Sequence, residues 1–238
     1  MHRKRPSAGG SAGSPGLEGQ RELVAALAAH HLQDTGIDGG NLAAVHYVDG
    51  HVRAYQGTKK IGKLYSTRLK FPVPATEETW VADAGSPVFV VMAEPGASLA
   101  GELRRLLPEL RTPVGDDRRV LVGFDLGGWS PALFKHMKEQ GFDVLTWRKG
   151  ATTDIPQDQF TEATHTDAHG ETKVWSAAET LVDLPLNTTK KTGQVFAIRQ
   201  ISRIVGAAGG GTRQIHLLTT DHGMPAGEAI YRLGARWR

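Results

Sequence analysis

Asp49 and Asp125 are the residues of this sequence best placed to do chemistry. Each closes a β-rich run, over 43–48 and 119–124, and each precedes glycine, Gly50 in one case and Gly127-Gly128 in the other. A carboxylate at a strand end is held by a rigid element while the backbone turns away, which is what a divalent-cation site needs. Hard Mg²⁺ takes oxygen ligands at about 2.0–2.1 Å in octahedral geometry. Two such ions, roughly 3.5–4 Å apart, activate the attacking oxygen and stabilise the leaving one in phosphoryl transfer. The residues alone leave other readings open. Asp49-Gly50 between two β-rich runs is also a hairpin signal, with 51–55 as the return strand, and acids at positions like Asp125 occur in many α/β sites.

The elements that must position these acids follow from pattern. Residues 119–124 form a continuous apolar run, the mark of a buried strand. Ser130-Pro131 is a helix cap followed by proline at the first helical position, and that helix is expected to reach about Gln140 and close on Gly141. A strand over 142–147 comes next. This strand–helix–strand order predicts an α/β fold built on a mixed sheet with some parallel pairing. Upstream, 79–82 and 88–93 read as a hairpin around Asp83-Ala84-Gly85, and Ser98 caps a helix through Leu110. The basic stretch up to Pro74 reads as loop.

Around this core, 1–16 reads as a disordered basic tail of Gly, Ser and Pro, and 17–40 as an N-terminal helix carrying Leu23, Leu27 and Leu32. Residues 41–150 form the first part of the core. The segment 151–212 reads as a β-rich antiparallel insertion, and 213–238 as a return to the core: a strand over 215–218, then a helix from Met224 still running at Trp237-Arg238. His165 and His169 beside Asp167 read as a polar turn, with a metal site as the alternative.

Composition narrows the classes. The 238 residues carry a formal net charge of +3 and no cysteine, so disulfides, thiolate zinc sites and cysteine nucleophiles are excluded. No apolar run reaches the roughly 18 residues of a membrane span, no apolar segment follows the basic N-terminus as in a secretory signal, and a cytoplasmic protein without membrane partners is expected. The positive charge is placed in stretches: Lys59, Lys60, Lys63, Arg68 and Lys70; Arg148 and Lys149; Lys190 and Lys191. Each reads as solvated loop charge, and together, in a phosphate-handling fold, as DNA backbone contacts.

Several motifs in order carry a resemblance. Residues 48–55, Val-Asp-Gly-His-Val-Arg-Ala-Tyr, resemble the first-aspartate segment of bacterial insertion-sequence transposases of the DDE type, the IS4-like superfamily. Residues 124–131, Phe-Asp-Leu-Gly-Gly-Trp-Ser-Pro, resemble the second, and 142–150 resemble the strand after it. Tyr231-Arg232 through Arg236-Trp237-Arg238 resemble the approach to the helix that bears the third acid. The similarity covers roughly residues 40 to 238. Leu126 departs from the pattern, standing where many relatives have arginine.

The resemblance implies a ribonuclease-H-like fold with β-insertion material between the second and third acids. It also implies metal-dependent DNA strand cleavage and strand transfer, with Asp49 and Asp125 as catalytic metal ligands in a two-ion Mg²⁺ (or Mn²⁺) site. Double-stranded DNA, as transposon ends and target, is the implied partner, with self-association a further expectation and a nucleoid-associated location. Lys59, Lys60, Lys63, Arg148 and Lys149 are the expected DNA contacts. In that family Gln-Glu-Asn follows the Arg-Trp-Arg triplet and its glutamate completes the triad. The sequence ends before that position, so a fragment with little or no transposition activity is expected. The alternatives are a non-catalytic DNA-binding remnant or regulator, and a ribonuclease-H-like nuclease using Asp221 or Glu228 as its third acid.

Overall fold

The computed structural model describes residues 26, 44–83, 86–93, 96–111, 119–186, 193–207 and 209–235. The tail over 1–16, nearly all of the 17–40 helix, Lys190, Lys191 and the Arg236-Trp237-Arg238 triplet lie outside them.

Strand β1 (Ala44–Ala54) runs straight through Asp49-Gly50. This corrects the hairpin reading. Asp-Gly is a poor strand pair by propensity, but β3 (Phe71–Asp83) pairs with β1 along its whole upper part, from Tyr47↔Ala82 to Ala54↔Ala75. Tertiary pairing overrides the local turn signal. The reversal comes twenty residues later. β2 (Lys63–Ser66) continues the line of β1 against β3, and the turn at 67–70 joins them. The expected loop up to Pro74 therefore contains two strand segments, 63–66 and 71–74, while 56–62 remains irregular. Pro72 and Pro74 fall where β3 has lost its outer neighbour, β4 (Ser86–Ala93), whose pairing stops at Glu77↔Ala93; proline is tolerated on such an edge.

From β4 the chain enters α1 (Leu99–Arg111), then β5 (Val120–Phe124), α2 (Pro131–Glu139) and β6 (Phe142–Trp147). The caps are those expected. Ser98 Oγ accepts from Gly101 N at 3.1 Å, Ser130 Oγ from Leu133 N at 3.3 Å, and Gly141 takes φ +77° to end α2. β1, β5 and β6 are mutually parallel. Three antiparallel strands leading into a parallel trio, with helices in the crossovers, form the mixed α/β sheet that was expected.

The segment after β6 supplies β7 (Thr161–Thr166), β8 (Thr172–Pro185) and β9 (Val195–Gly206), a meander that extends the same sheet. β10 (Thr212–Thr219) then inserts between β6 and β9, antiparallel to both. The described strands thus order as β2-β3-β1-β5-β6-β10-β9-β8-β7, with β4 on β3. Helix α3 (Ala226–Ala235) follows β10.

Alternation along the strands divides the core into two layers. Val48, Val122, Phe124 and Val144 face α1 and α2, where Leu103, Leu106, Leu110, Leu133, Phe134 and Met137 are fully buried. Val45, Tyr47, Leu121, Leu145 and Leu217 face α3 through Ala229, Ile230 and Leu233. Each buried leucine contributes roughly 1.5–3 kcal/mol relative to exposure, so both faces of the parallel trio are fixed by packing.

Candidate functional site

Parallel pairing of β1 with β5 runs from Ala44↔Val120 to Val48↔Phe124 and stops there. The next residue in each case is an aspartate, Asp49 within β1 and Asp125 just past the end of β5. Asp49 and Asp125 thus follow a paired position on neighbouring strands, Asp125 still with extended backbone, and their backbones are about 5 Å apart by the ordinary strand spacing. Alternation puts both on the face of Tyr47 and Gly123, the α3 face. Asp49 is a mid-strand residue that lies at the end of its pairing with β5, and it stays paired to Trp80 of β3.

Beneath the acids the packing is close. A Cβ on Gly123 would stand 2.7 Å from the Tyr47 ring, so only glycine leaves that ring room to lie across β5. The Tyr47 hydroxyl donates to Arg232 O at 2.7 Å, which fixes the last turn of α3 over this face. Asp125 is oriented by its own turn. It caps the 3₁₀ turn Leu126–Gly128, with Oδ1 accepting from Gly127 N at 2.7 Å. Gly128 packs so tightly on the Phe124 ring that a Cβ would come within 2.4 Å.

Next to Asp49 is a shallow depression of about 230 Å³ lined by Asp49, His51, Arg53 and Trp80. Glu78 borders it, accepting from Trp80 Nε1 at 3.0 Å and pairing with Arg53 at 3.0 Å. The sequence reading missed Trp80, Glu78, His51 and Arg53 as neighbours of the acid. They converge only through the β1–β3 register, which the hairpin reading replaced.

The other candidate acids are occupied elsewhere. Asp221 lies beyond the opposite end of β10, next to the first residues of β5 and β6, three to four residues or roughly 10–13 Å along the strands from Asp125 at the usual rise. Its Oδ1 accepts from Gly223 N at 2.8 Å and Met224 N at 3.1 Å, and it pairs with Arg119 at 2.8 Å. Arg119 also pairs with Asp143 at 2.8 Å, and Asp143 takes Lys138 at 2.7 Å. Burial pushes Asp143 up, but hydrogen bonds from Lys138, Arg119 and Thr220 outweigh it and hold the carboxyl below the usual range. Glu228 pairs with Arg232 one turn on at 2.7 Å. His165 stacks on Tyr231 at 4.4 Å, and Asp167 closes the β7–β8 turn through the amides of His169 and Glu171. Among the described residues no group of three or more His, Asp or Glu converges as a metal cluster.

The basic residues fall into two places. Arg148 and Lys149 follow β6 at the same sheet end as the acids, since Thr146 pairs with Phe124. Lys149 is exposed, whereas Arg148 is half-buried, donates from its guanidinium to Gln200 Oε1, and is held below the usual arginine range by that burial. Lys59, Lys60 and Lys63 are exposed and sit farther out on the β1–β2–β3 ribbon. No described helix is long and apolar enough to cross a membrane.

Among solved structures, this chain is similar to piggyBac transposase in a synaptic complex with hairpin DNA, at 13% identity and a TM-score of 0.43 over 91% of this chain and 44% of that one. It is also similar to Mos1 transposase in a paired-end complex with left transposon end, at 12% identity and a TM-score of 0.30 over 60% of this chain and 46% of that one. It therefore spans less than half the length of either. No curated protein matches the sequence. The family described as "Transposase protein" matches residues 33–238, most of the sequence, and the chain belongs to that transposase family.

Proposed function

We propose that Asp49 and Asp125 are two carboxylate ligands of a divalent-metal centre for DNA strand cleavage and transfer, of the DDE type found in bacterial insertion sequences. The observation that carries this is the β1–β5 register, which ends at Val48↔Phe124 and leaves the two acids adjacent on one face. Their donor set is hard oxygen, suited to Mg²⁺ or Mn²⁺. A bound pair of ions would supply activation of the attacking oxygen and charge stabilisation on the leaving one. The chain's own part is orientation. The Gly127 amide holds Asp125 Oδ1, and Tyr47 and Gly123 set the floor. The last turn of α3 rests on Tyr47, whose side chain lies on the same face of β1 as Asp49.

The test is Mn²⁺ binding by the whole chain, with Mg²⁺- and Mn²⁺-dependent nicking of supercoiled DNA. Asp49→Asn and Asp125→Asn should each weaken Mn²⁺ binding at least tenfold, about 1.4 kcal/mol. Unchanged affinity in both variants would remove the proposal. A second reading, a non-catalytic DNA-binding regulator of transposition, is favoured by the engagement of Asp221 and Glu228 in structural ion pairs. It predicts salt-dependent duplex binding with no metal-dependent nicking.

A further inference from the structure

The ribbon of β1, β2 and β3 carries its strands well past the acids. Asp49 pairs with Trp80, and β3 extends nine residues farther, to Phe71. At about 3.4 Å per residue the tip stands roughly 30 Å from the acid pair. The turn at 67–70 is well made: Lys70 N donates to Ser66 O at 2.7 Å, Leu69 N to Ser66 Oγ at 3.2 Å, and Lys70 takes a left-handed φ of +62°.

Charge on this arm is of one sign. From Arg53 through Thr76 there are six Lys or Arg residues, Arg53 included, and no Asp or Glu. Lys59, Lys60, Lys63, Arg68 and Lys70 are exposed, while Arg53 leans on Glu78 at the base. Apolar side chains that a core would bury are exposed here too, namely Tyr65 at 57%, Leu69 at 44% and Phe71 at 54%. Lys63 and Tyr65 oppose Pro74 and Pro72, and alternation along β3 puts these four on the same side of the ribbon as Asp49, Arg53 and Trp80.

We propose that this arm grips duplex DNA at a distance from the reaction centre, with its cations on phosphates and its exposed apolar tip against the groove. Charge complementarity selects this occupant, because two such arms would repel one another while a polyanion is attracted. Shape agrees: the major groove, about 12 Å wide, admits a two-stranded ribbon. The span to the acids corresponds to roughly nine base pairs at about 3.4 Å each. The inference deepens the reading of the acid pair, on which it rests only for where strand cleavage occurs.

The test is duplex binding by the full chain in EDTA, with salt varied, followed by fluorescence anisotropy. The variant K59Q/K60Q/K63Q/R68Q/K70Q is compared with R104Q/K135Q on the helices. Each lost phosphate contact lowers the slope of log affinity against log salt by about 0.9, so a fall of about 3–4 and at least tenfold weaker binding are expected. R68Q/K70Q, confined to the turn, should lower the slope by about 1–2 and serves if the larger variant unfolds. An unchanged slope in a folded arm variant overturns the arm and leaves the metal proposal standing. Should the wild-type chain bind no duplex at all, both fall. A shift in oligomeric state with DNA affinity intact would make the arm a contact between copies, and that too overturns the proposal.

Discussion

The Tyr47 hydroxyl donates to the carbonyl of Arg232 at 2.7 Å, tying the first described strand to the last described helix across 185 residues. The bond forms because Gly123 leaves the tyrosine ring room to cross β5. Tyr47→Phe should cost about 1 kcal/mol, the net worth of one such hydrogen bond. Gly123→Ala should cost more, about 1–3 kcal/mol, because the added methyl overpacks against a ring with no room to move. Denaturant unfolding measures both, and equal stabilities would contradict the stacked arrangement.

Asp125 has two tasks that substitution can separate. Asparagine retains the Oδ1 acceptor for Gly127 N and alanine does not. Asp125→Asn is expected to keep native stability while losing Mn²⁺ affinity. Asp125→Ala should lose the affinity and also about 1 kcal/mol of stability, the usual cost of a lost cap. Thermal unfolding of the two variants next to metal titration checks the separation.

Asp221 is expected to behave as a structural acid. It is almost fully buried, caps the entry to α3 and pairs with Arg119. Asp221→Ala should destabilise by about 1–2 kcal/mol through loss of the cap, with Mn²⁺ affinity unchanged. A drop in metal affinity without loss of stability would restore it as a candidate ligand.

Acid should weaken the fold through a buried histidine. His46 is fully buried on the α1–α2 side with neither ring nitrogen hydrogen-bonded, and burial lowers its pKa from 6.5 to about 4. Between those values the unfolded chain binds a proton that the folded chain refuses. The contribution of this group to stability is therefore constant above pH 6.5 and falls on acidification, by at most about 1.4 kcal/mol per pH unit. His216 is lowered in the same direction, by burial and by Arg148. Asp143 acts lower, since its contribution persists until pH drops through its depressed folded value. Denaturant midpoints across this range should decline in the native chain, and His46→Leu should remove the larger share of that decline.

The segment from Val120 to Trp147 was legible in the sequence because its signals are local: an apolar strand, a Ser-Pro cap, a glycine stop. The ribbon was not. Asp49-Gly50 carries the strongest turn signal in its region, and Pro72, Pro74 and five nearby cations argue against strands. At Asp49-Gly50 the strand is made by pairing to Trp80 and Thr79, about thirty positions away, which no local pattern states, and at Pro72 and Pro74 by pairing to Tyr65 and Lys63 across the 67–70 turn. The same holds for the site. Asp49 and Asp125 drew notice individually, but their adjacency comes from the β1–β5 register, and the company of Trp80 and Glu78 from the β1–β3 register.

The insertion of β10 between β6 and β9 sets a schedule for synthesis. When β6 leaves the ribosome, its outer neighbour lies about 65 residues downstream. At roughly 5–20 residues per second, β6 waits on the order of 3–13 s with one backbone edge unpaired. The later meander β7–β8–β9 is complete before the strand that joins it to the core exists. The nascent protein is thus two partial sheets in search of a common strand, and chaperone dependence should concentrate in that interval.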